Sequence, residues 1–294
     1  MGFAEENIVS RVFARHGLRL DPELSYGQVG HDPKHPYVKV ESLIKTLEKV
    51  GKLHKLIGLG EACDTLQKAG PGLAKFWESF RHSNSGHEVF NGILDLSCCV
   101  PVYLHGDEGT TYKRDGVFVM SLHTPLGRGT LSNKLGRWDD SSGDPHTNFA
   151  GHSFETRFLL GALLREDYRD WDDNEPFHEL VELIVKSLDD ASRAGVPLVT
   201  GGRLFLIPIG NKGDWPYLAT SAKLNRSYRN VPRAATSAAP CTGICHLCLA
   251  GRPMFDFEQM SDAPDFLDTM GAEIPWTTEA SFTRLLMHDR LAQV

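Results

Sequence analysis

Two apolar segments, about a hundred residues apart, constrain the fold of this 294-residue chain more than any other feature. Residues 100–104 and 204–209 are short apolar runs close to glycine and charged residues, a pattern typical of strands buried inside a sheet. Each run is followed by a lone aspartate, Asp107 after the first and Asp214 after the second. The pattern predicts two core strands, each with a carboxylate in the turn at its end.

Carboxylates at the ends of buried strands can converge on one or two divalent cations. Two such cations hold the attacking and leaving oxygens in line during phosphoryl transfer. The pair Asp107 and Asp214 therefore predicts a metal-dependent phosphoryl-transfer site. The alternative is that each aspartate only caps a turn, as Asp residues often do beside glycine.

Basic residues lie close to both aspartates in the sequence. Residues 203–233 contain six basic residues and one acidic residue, a local charge of +5 in a chain of net charge −7. Such a stretch favours contact with a DNA backbone, although a basic loop without a ligand has the same composition. The residues assigned to DNA contact by this interpretation are Lys113, Arg114, Lys212, Lys223, Arg226, Arg229 and Arg233.

The composition indicates an ordinary globular protein, with 41% apolar and 23% charged residues. No apolar run approaches the ~20 residues of a membrane helix, and the first residues lack the basic start and apolar stretch of a secretory signal. A net charge of −7 excludes a surface coated with nucleic-acid-binding residues, so any DNA contact is expected to be local. The six cysteines are spaced poorly for a disulfide framework, which favours reduced thiols inside a cell.

The remaining pattern predicts a mixed α/β arrangement. Residues 1–40 show little periodicity and are expected to form a loosely ordered arm, whereas residues 40–80 carry apolar residues at helical spacing. The sequence Gly70-Pro71-Gly72 is expected to break this helical region. The other predictions are a hairpin over 97–126 with a turn at 106–109, a loop over 127–150, helices over 154–164 and 177–188, and a strand over 203–209.

A cysteine cluster follows the basic stretch. Cys245 and Cys248 form a Cys-x-x-Cys knuckle, a spacing at which two thiolates can bind one zinc ion tetrahedrally. Cys241 is the third ligand that the spacing suggests, and the fourth is unassigned. Free thiols and a redox pair are the alternatives, although the Ala-, Ser- and Pro-rich approach is unlike the strand that precedes a redox Cys-x-x-Cys.

The segments HGDEGTTYKR, LFLIPIGNKGDWPYLA and CTGICHLCLAG together resemble transposase-like proteins of mobile elements in unicellular algae. They are more distantly similar to DDE transposases of the CACTA and Plavaka type. The resemblance covers residues 98–252 and implies an RNase H-like core. It also implies that Asp107 is the first metal ligand, Asp214 the second, and Cys245 and Cys248 the zinc knuckle.

Cores of this type require a third carboxylate, usually a glutamate on a late helix. Glu258, Glu273 and Glu279 follow Cys248, and only Glu279 lies in a helical pattern. The short remainder of the chain after Glu279 leaves little room for the usual final helix. The resemblance therefore assigns Glu279 the third catalytic position and is also compatible with a truncated or decayed copy.

The sequence thus predicts an α/β protein with an RNase H-like mixed sheet flanked by helices. The expected domains are an N-terminal arm and helical segment at 1–85, the core at 86–235, and the cysteine-knuckle insertion with a tail at 236–294. The expected function is Mg²⁺- or Mn²⁺-dependent DNA strand cleavage and transfer, with structural Zn²⁺, a DNA partner, no membrane contact, possible homo-oligomers and a nuclear location. The alternatives are a catalytically inactive, zinc-stabilised domain that binds nucleic acid or protein, and a metal-dependent hydrolase of another type.

Overall fold

The computed structural model describes residues 15, 20–59, 63–110, 116–127, 146–147, 156–222, 243–245, 248–252, 254–259 and 261–270. The chain divides into two compact units. The first unit comprises residues 1–212 with 290–294, and the second comprises residues 213–289. In the described part of the chain, no helix has the length and apolar character needed to cross a membrane.

Along the described chain, two strands are followed by three α-helices, five strands, a long helix, two strands and a short helix. The strands are β1 (Leu24–Val29), β2 (Asp32–Val38), β3 (Cys99–Thr110), β4 (Gly116–His123), β5 (Leu126–Gly127), β6 (His146–Thr147), β7 (Phe158–Leu164), β8 (Val196–Pro197) and β9 (Arg203–Gly213). The α-helices are α1 (Val40–Lys49), α2 (Leu53–Ile57), α3 (Leu66–Ser83), α4 (Glu175–Arg193) and α5 (Trp215–Ser221). Single-turn 3-10 helices span Glu88–Phe90, Leu96–Cys98, Arg165–Asp167, Asp172–Asn174 and Asp265–Thr269.

A five-stranded sheet forms the centre of the first unit, in the order β7-β4-β3-β9-β8. The pairs β3–β4, β4–β7 and β8–β9 are antiparallel. Two small antiparallel pairs, β1–β2 and β5–β6, and an isolated bridge between Arg252 and Phe255 complete the described β structure. The predicted class, a mixed α/β protein with a sheet and flanking helices, is confirmed.

One face of the sheet is covered by helix α4. Residues of β4 alternate between buried and half-buried, as expected for a strand with one covered face. Phe118 is buried on this face, with its ring centroid 4.7 Å from that of Phe177 in α4. Gly161 in β7 permits the helix to approach closely, because an added Cβ would lie 3.0 Å from Ile184 Cδ1.

The N-terminal region forms a hairpin, so the prediction of a loosely ordered arm is wrong for residues 24–38. Strands β1 and β2 pair with each other and pack against α4 and β7. Gly30 N donates to Glu179 Oε2 over 2.6 Å, and His35 Nε2 lies 2.9 Å from the carbonyl oxygen of Ala162. These contacts, to residues more than a hundred positions away in the chain, hold the hairpin against α4 and β7.

The helical prediction for residues 40–80 is confirmed, but the predicted break at Gly70-Pro71-Gly72 is wrong. Helix α3 runs through this sequence from Leu66 to Ser83. Gly70 packs against Ser97, whose Cβ would lie 3.2 Å from a Cβ added at Gly70. Trp77 is fully buried and its Nε1 donates to the carbonyl oxygen of Cys99 over 2.8 Å. Burial of the helix against the sheet therefore overrides the local cost of glycine and proline.

Later elements agree only in part with the sequence predictions. Helix α4 and strand β9 confirm the helix at 177–188 and the strand at 203–209. The helix expected at 154–164 is wrong, because Phe158–Leu164 is strand β7, paired with β4. An apolar run of this length fits a buried strand or a helix, and pairing with β4 decides between them. Of the loop expected at 127–150, only 127 and 146–147 lie among the described residues.

Candidate functional site

Asp107 lies within β3, so the prediction that it occupies a turn after the strand is wrong. Its pairing partner on β4 is Val119, and the ladder continues to Thr110 and Gly116. The partner strand keeps the segment extended through Gly106 and Gly109, residues that suggested a turn. The Asp107 side chain is exposed.

Glu108 points to the opposite face of β3 and has a structural role. Tyr168 Oη donates to Glu108 Oε2 over 2.7 Å, and Arg165 Nη1 donates to Glu108 Oε1 over 3.0 Å. Burial and the hydrogen bond to Glu108 raise the pKa of Tyr168 above its usual range. Glu108 therefore joins β3 to the segment that follows β7.

The face of the sheet opposite α4 carries polar side chains, and we call it the open face. Its residues are spaced two apart along each strand, as the pleat of a β-strand requires. Lys212 of β9 extends over this face, with Nζ 3.8 Å from the centroid of the Tyr103 ring. The open face contains Tyr103, His105, Asp107, Val119, Ser121, His123 and Lys212.

The aromatic rings on the open face lie close together. The ring centroids of His105 and His123 are 6.2 Å apart, and those of Tyr103 and His123 are 5.6 Å apart. Ser121 Oγ donates to the carbonyl oxygen of His105 over 3.4 Å. His105 and Asp107 are two residues apart and therefore share one face of β3, where the charge of the Asp107 carboxylate acts to raise the pKa of His105.

Burial and positive charge keep both histidines neutral at pH 7. Burial, then Lys212 and Arg157, lower the pKa of His123 to about 4. Burial, followed by the charge of Arg157, lowers the pKa of His105, while Asp107 acts in the opposite direction. Burial and the charge of Arg157 also lower the pKa of Lys212. Positive charge is therefore concentrated at this end of the open face.

His123 has an unsatisfied polar atom. Its Nδ1 is buried and has no hydrogen-bond partner among the described residues. A buried polar atom without a partner costs about 1–3 kcal/mol, so such atoms usually contact water or a ligand. Sequence reasoning did not single out His123, Tyr103 or Arg157. The period-two alternation of β4 was the available signal, since it places Ser121 and His123 opposite the apolar Met120 and Leu122.

Asp214 follows β9 directly and belongs to the second unit. It is the N-cap of α5, where its Oδ1 accepts a hydrogen bond from Tyr217 N over 3.0 Å. Pro216 lies in the first turn of this helix, a position proline favours. Capping of this helix therefore explains the hydrogen bond made by one of the two carboxylate oxygens of Asp214. Whether Asp107 and Asp214 converge on a cation stays a prediction.

The cysteine knuckle also lies in the second unit. Cys248 is buried and Cys245 is half-buried, and Cys241 falls outside the described residues. A backbone hydrogen bond of 3.0 Å from Ile244 N to the carbonyl oxygen of Ala250 closes the segment that contains both thiols. Leu249 N donates to Thr269 Oγ1 over 2.9 Å and ties the knuckle to the 3-10 helix that begins at Asp265. The zinc site stays a prediction.

Most of the residues predicted to contact DNA fall outside the described part of the chain, as does Glu279. Lys212 is described and lies on the open face. Arg203, in the same basic stretch, donates from Nη1 to the carbonyl oxygens of Ala194 and Gly195 and so holds the turn before β8. The residues outside the described part are Lys113, Arg114, Lys223, Arg226, Arg229, Arg233, Cys241 and Glu279.

The first unit also contains an open cleft of about 490 Å³, between the start of α3, the 3-10 helix Leu96–Cys98 and the loop at Gly201 and Gly202. None of the sequence-predicted site residues lines it. Among the described residues, no group of three or more His, Cys, Asp or Glu side chains is placed to hold a metal ion. Comparison of the chain with protein-family models, with curated proteins and with solved structures finds no match.

Proposed function

We propose that this protein has an RNase H-like core of the DDE transposase type and catalyses divalent-metal-dependent cleavage and transfer of DNA strands. The observation that carries the proposal is the order of the sheet. Strands β3, β4 and β7 form an antiparallel meander, helix α4 follows, and β9 lies on the other side of β3. In chain order the five strands of this sheet read third-second-first-fifth-fourth, and a meander with a later strand beside β3 supports the mixed sheet that the resemblance implies.

The adjacency of β3 and β9 supports a site at this place in the sheet. Strands β4 and β7 lie on one side of β3 in the sheet, and β9 and β8 lie on its other side. Ligands of open α/β sheets bind at such switch points of strand order. Asp107 lies in β3, and Asp214 is the residue that follows β9. The two aspartates are thus associated with neighbouring strands although a hundred residues separate them in the chain.

The proposed chemistry uses Asp107 and Asp214 as ligands of Mg²⁺ or Mn²⁺, with Glu279 as the third carboxylate. Such ions lower the pKa of a bound water and hold the attacking and leaving oxygens of a phosphodiester in line. Water is the first nucleophile, and a DNA 3′ hydroxyl is the second. Lys212 and the other basic residues named in the sequence would hold the DNA backbone beside the ions. A nuclear location and assembly into homo-oligomers belong to the same proposal.

The decisive test is nicking of duplex DNA in the presence of Mn²⁺. Wild-type protein is expected to convert supercoiled DNA to the nicked form, and Asp107→Asn is expected to reduce the rate to background because a metal ligand is lost. Asp190→Asn is the matched control, since Asp190 is an exposed aspartate near the end of α4. Equal rates for wild type and Asp107→Asn would refute the assignment.

We further propose that Cys241, Cys245 and Cys248 bind one structural zinc ion. The near-complete burial of Cys248 and the hydrogen bonds that close the knuckle support an ordered site. Purified protein is expected to contain about one zinc per chain, and Cys245→Ser to lose it, whereas Cys63→Ser is expected to keep it. Protein without zinc, in which Cys245→Ser has unchanged stability, would refute the zinc site.

A second candidate function is a catalytically inactive domain, derived from a mobile element, that binds nucleic acid. The basic groups that lower the pKa values of His123 and Lys212 on the open face favour it. This candidate predicts salt-dependent DNA binding by the wild type without Mn²⁺-dependent nicking. The nicking assay therefore separates the two candidates.

A further inference from the structure

The cleft of about 490 Å³ in the first unit has the size of a small-molecule site. Sites for small organic molecules commonly have volumes of roughly 300–1,000 Å³. Residues of α3 from Leu66 to Ala74 form one side of the cleft, and the 3-10 helix Leu96–Cys98 and the loop at Gly201 and Gly202 form the others. The cleft contains none of the residues of the proposed metal site, so a ligand here is independent of that chemistry.

The loop that forms one side of the cleft is held in place by hydrogen bonds. Thr200 donates from its backbone nitrogen and from Oγ1 to Glu48 Oε1, over 3.0 Å in each case. The turn is closed by hydrogen bonds of 3.1 Å from Leu198 N to the carbonyl oxygen of Gly202 and from Gly201 N to that of Leu198. Both glycines have positive φ and no side chain to occupy the cleft. The loop is therefore fixed and leaves the cleft open.

Asp95 is the one charged residue among the described residues that line the cleft. Its Oδ1 accepts hydrogen bonds from Ser97 N over 3.0 Å and from Ser97 Oγ over 2.7 Å. Its Oδ2 accepts no hydrogen bond from any residue that the structure describes, and the side chain is exposed. The carboxylate is thus oriented through one oxygen and can offer the other to a ligand.

The charge of the cleft selects the class of ligand. An anion would meet Asp95 and, in the described lining, no lysine, arginine or histidine. A neutral apolar molecule would cover the carboxylate without giving it a partner, which costs free energy. A metal ion would find one carboxylate, and the described residues contain no group of three ligands. An ammonium or guanidinium group would donate a charge-assisted hydrogen bond to this carboxylate.

We propose that the cleft binds a small organic cation, with an ammonium or guanidinium group at Asp95 Oδ2 and a short apolar body against Pro71 and Ala74. Pro71 and Ala74 are exposed residues of α3 that line the cleft, so they are accessible to a ligand. A free alkylguanidinium and the arginine side chain of a peptide both have this chemistry. The two sources are distinguished by the probes of the test.

The test is a titration of ¹⁵N-labelled protein with n-butylguanidinium, followed by amide correlation spectra at neutral pH. The signals of Ser97, Gly201 and Gly202, on two sides of the cleft, are expected to move together and to saturate with one Kd. The signal of Gly161, which packs against α4 and does not line the cleft, is expected to stay in place. The neutral isostere n-butylurea is expected to bind roughly fivefold more weakly, because it lacks the charge.

Asp95→Asn tests the role of the carboxylate. Asparagine caps a helix as well as aspartate does, so the variant keeps the acceptor for Ser97 N and removes only the charge. It is expected to weaken n-butylguanidinium binding roughly fivefold, a modest factor because Asp95 is exposed and its charge is partly screened. Asp170→Asn is the matched control, since Asp170 is an exposed aspartate of the first unit outside the cleft, and it should leave the Kd unchanged.

Ala74→Leu tests the cleft itself. Ala74 is exposed and leucine is a good helix former, so the variant should fold normally while its larger side chain fills the cleft and prevents binding. Ser79→Leu is the control, because Ser79 is exposed on α3 but does not line the cleft. Equal Kd values for these two variants would overturn the proposal.

A second probe, a Gly-Arg-Gly peptide with blocked ends, identifies the source of the cation. The probe with the lower Kd, n-butylguanidinium or the peptide, names the free molecule or the peptide side chain as the preferred ligand. The proposal is overturned if neither cation moves the three amide signals together. Equal affinity for n-butylguanidinium and n-butylurea, or equal Kd values for Asp95→Asn and Asp170→Asn, would overturn it as well.

Discussion

Asp107 and Glu108 are neighbours in the chain, but they lie on opposite faces of β3 in surroundings of opposite character. Glu108 is hydrogen-bonded by Tyr168 and paired with Arg165 on the face that α4 covers. Asp107 is exposed on the open face beside His105, which burial and nearby cations keep neutral. Two carboxylates therefore differ in role because the pleat of one strand directs them to different sides.

The same difference between the two faces of the sheet is seen along the whole of β4. Its covered-face residues, such as Phe118 and Leu122, are buried against the core, whereas Ser121 and His123 are half-buried on the open face. Packing on the covered face holds the sheet together. The open face is only half-buried along β4 and carries titratable groups, so it is expected to contribute less to stability. Substitutions on the covered face are therefore expected to change the free energy of unfolding more than substitutions on the open face.

The largest expected effect is on the covered face. Phe118→Ala should reduce the free energy of unfolding by about 3–5 kcal/mol, because it leaves a cavity against Phe177. Leu159→Ala, on the open side of β7 and 56% exposed, should change it by no more than about 0.5 kcal/mol. Urea denaturation of both variants measures the difference. Similar losses from the two variants would show that the open face is also a packing surface.

The next largest expected effect on stability concerns the hydrogen bond from Tyr168 to Glu108. Tyr168→Phe should reduce the free energy of unfolding by about 1–3 kcal/mol, because a partly buried carboxylate loses a hydrogen-bond donor. Glu108→Gln and the double variant complete a double-mutant cycle that isolates the pair. Tyr103→Phe, on the open face, is the control and should cost less. A coupling energy near zero would show that the hydrogen bond does not stabilise the fold.

The same tyrosine predicts a loss of stability at alkaline pH. Its pKa is higher in the folded protein than in the unfolded chain, so the stabilisation is complete below about pH 10 and declines as the pH rises further. Wild type should lose stability above this pH more steeply than Tyr168→Phe, which has no phenol to ionise. Denaturation at pH 7 and pH 10.5 provides the measurement, and parallel profiles would contradict the prediction.

On the open face, we expect a smaller loss of stability, at acidic pH, which comes from His123. The pKa of His123 is about 4 in the folded protein and about 6.5 in an unfolded chain. Stability from the neutral ring is therefore complete above pH 6.5 and is lost as the pH falls through this range. His123→Gln should flatten the decline in urea midpoint between pH 6.5 and pH 4.5. An unchanged slope would mean that His123 titrates normally in the folded state.

The smallest expected effect is that of Ser121→Ala. The Ser121 hydroxyl makes a long hydrogen bond of 3.4 Å to the carbonyl oxygen of His105, so its removal should change stability by less than about 0.5 kcal/mol. Urea denaturation measures the change, and a loss above about 1 kcal/mol would show that this hydrogen bond stabilises the pairing of β3 and β4.

Sequence patterns predicted the elements whose signal is local. The helical spacing in residues 40–80 and 177–188 and the apolar runs of β3, β4 and β9 each correspond to an observed element. The alternative given for Asp214 was a turn cap, whereas in the structure it caps α5, a helix that the sequence analysis did not predict. The resemblance to transposases, the metal ligands and the zinc knuckle stay predictions, because neither the comparisons nor the described residues test them.

What the sequence determined by itself was the α/β character and, through the period of two in β3 and β4, which side chains share a face. Tertiary pairing alone decided that Phe158–Leu164 is a strand, that Leu24–Val29 and Asp32–Val38 form a hairpin, and that Asp107 lies inside β3. The physical reason is that a strand obtains its hydrogen bonds from a partner strand, whose identity and register its own local pattern does not specify, whereas a helix obtains them from residues four positions away. The grouping of His105, His123 and Lys212 on one face has the same origin, because it exists only when β4, β3 and β9 lie side by side.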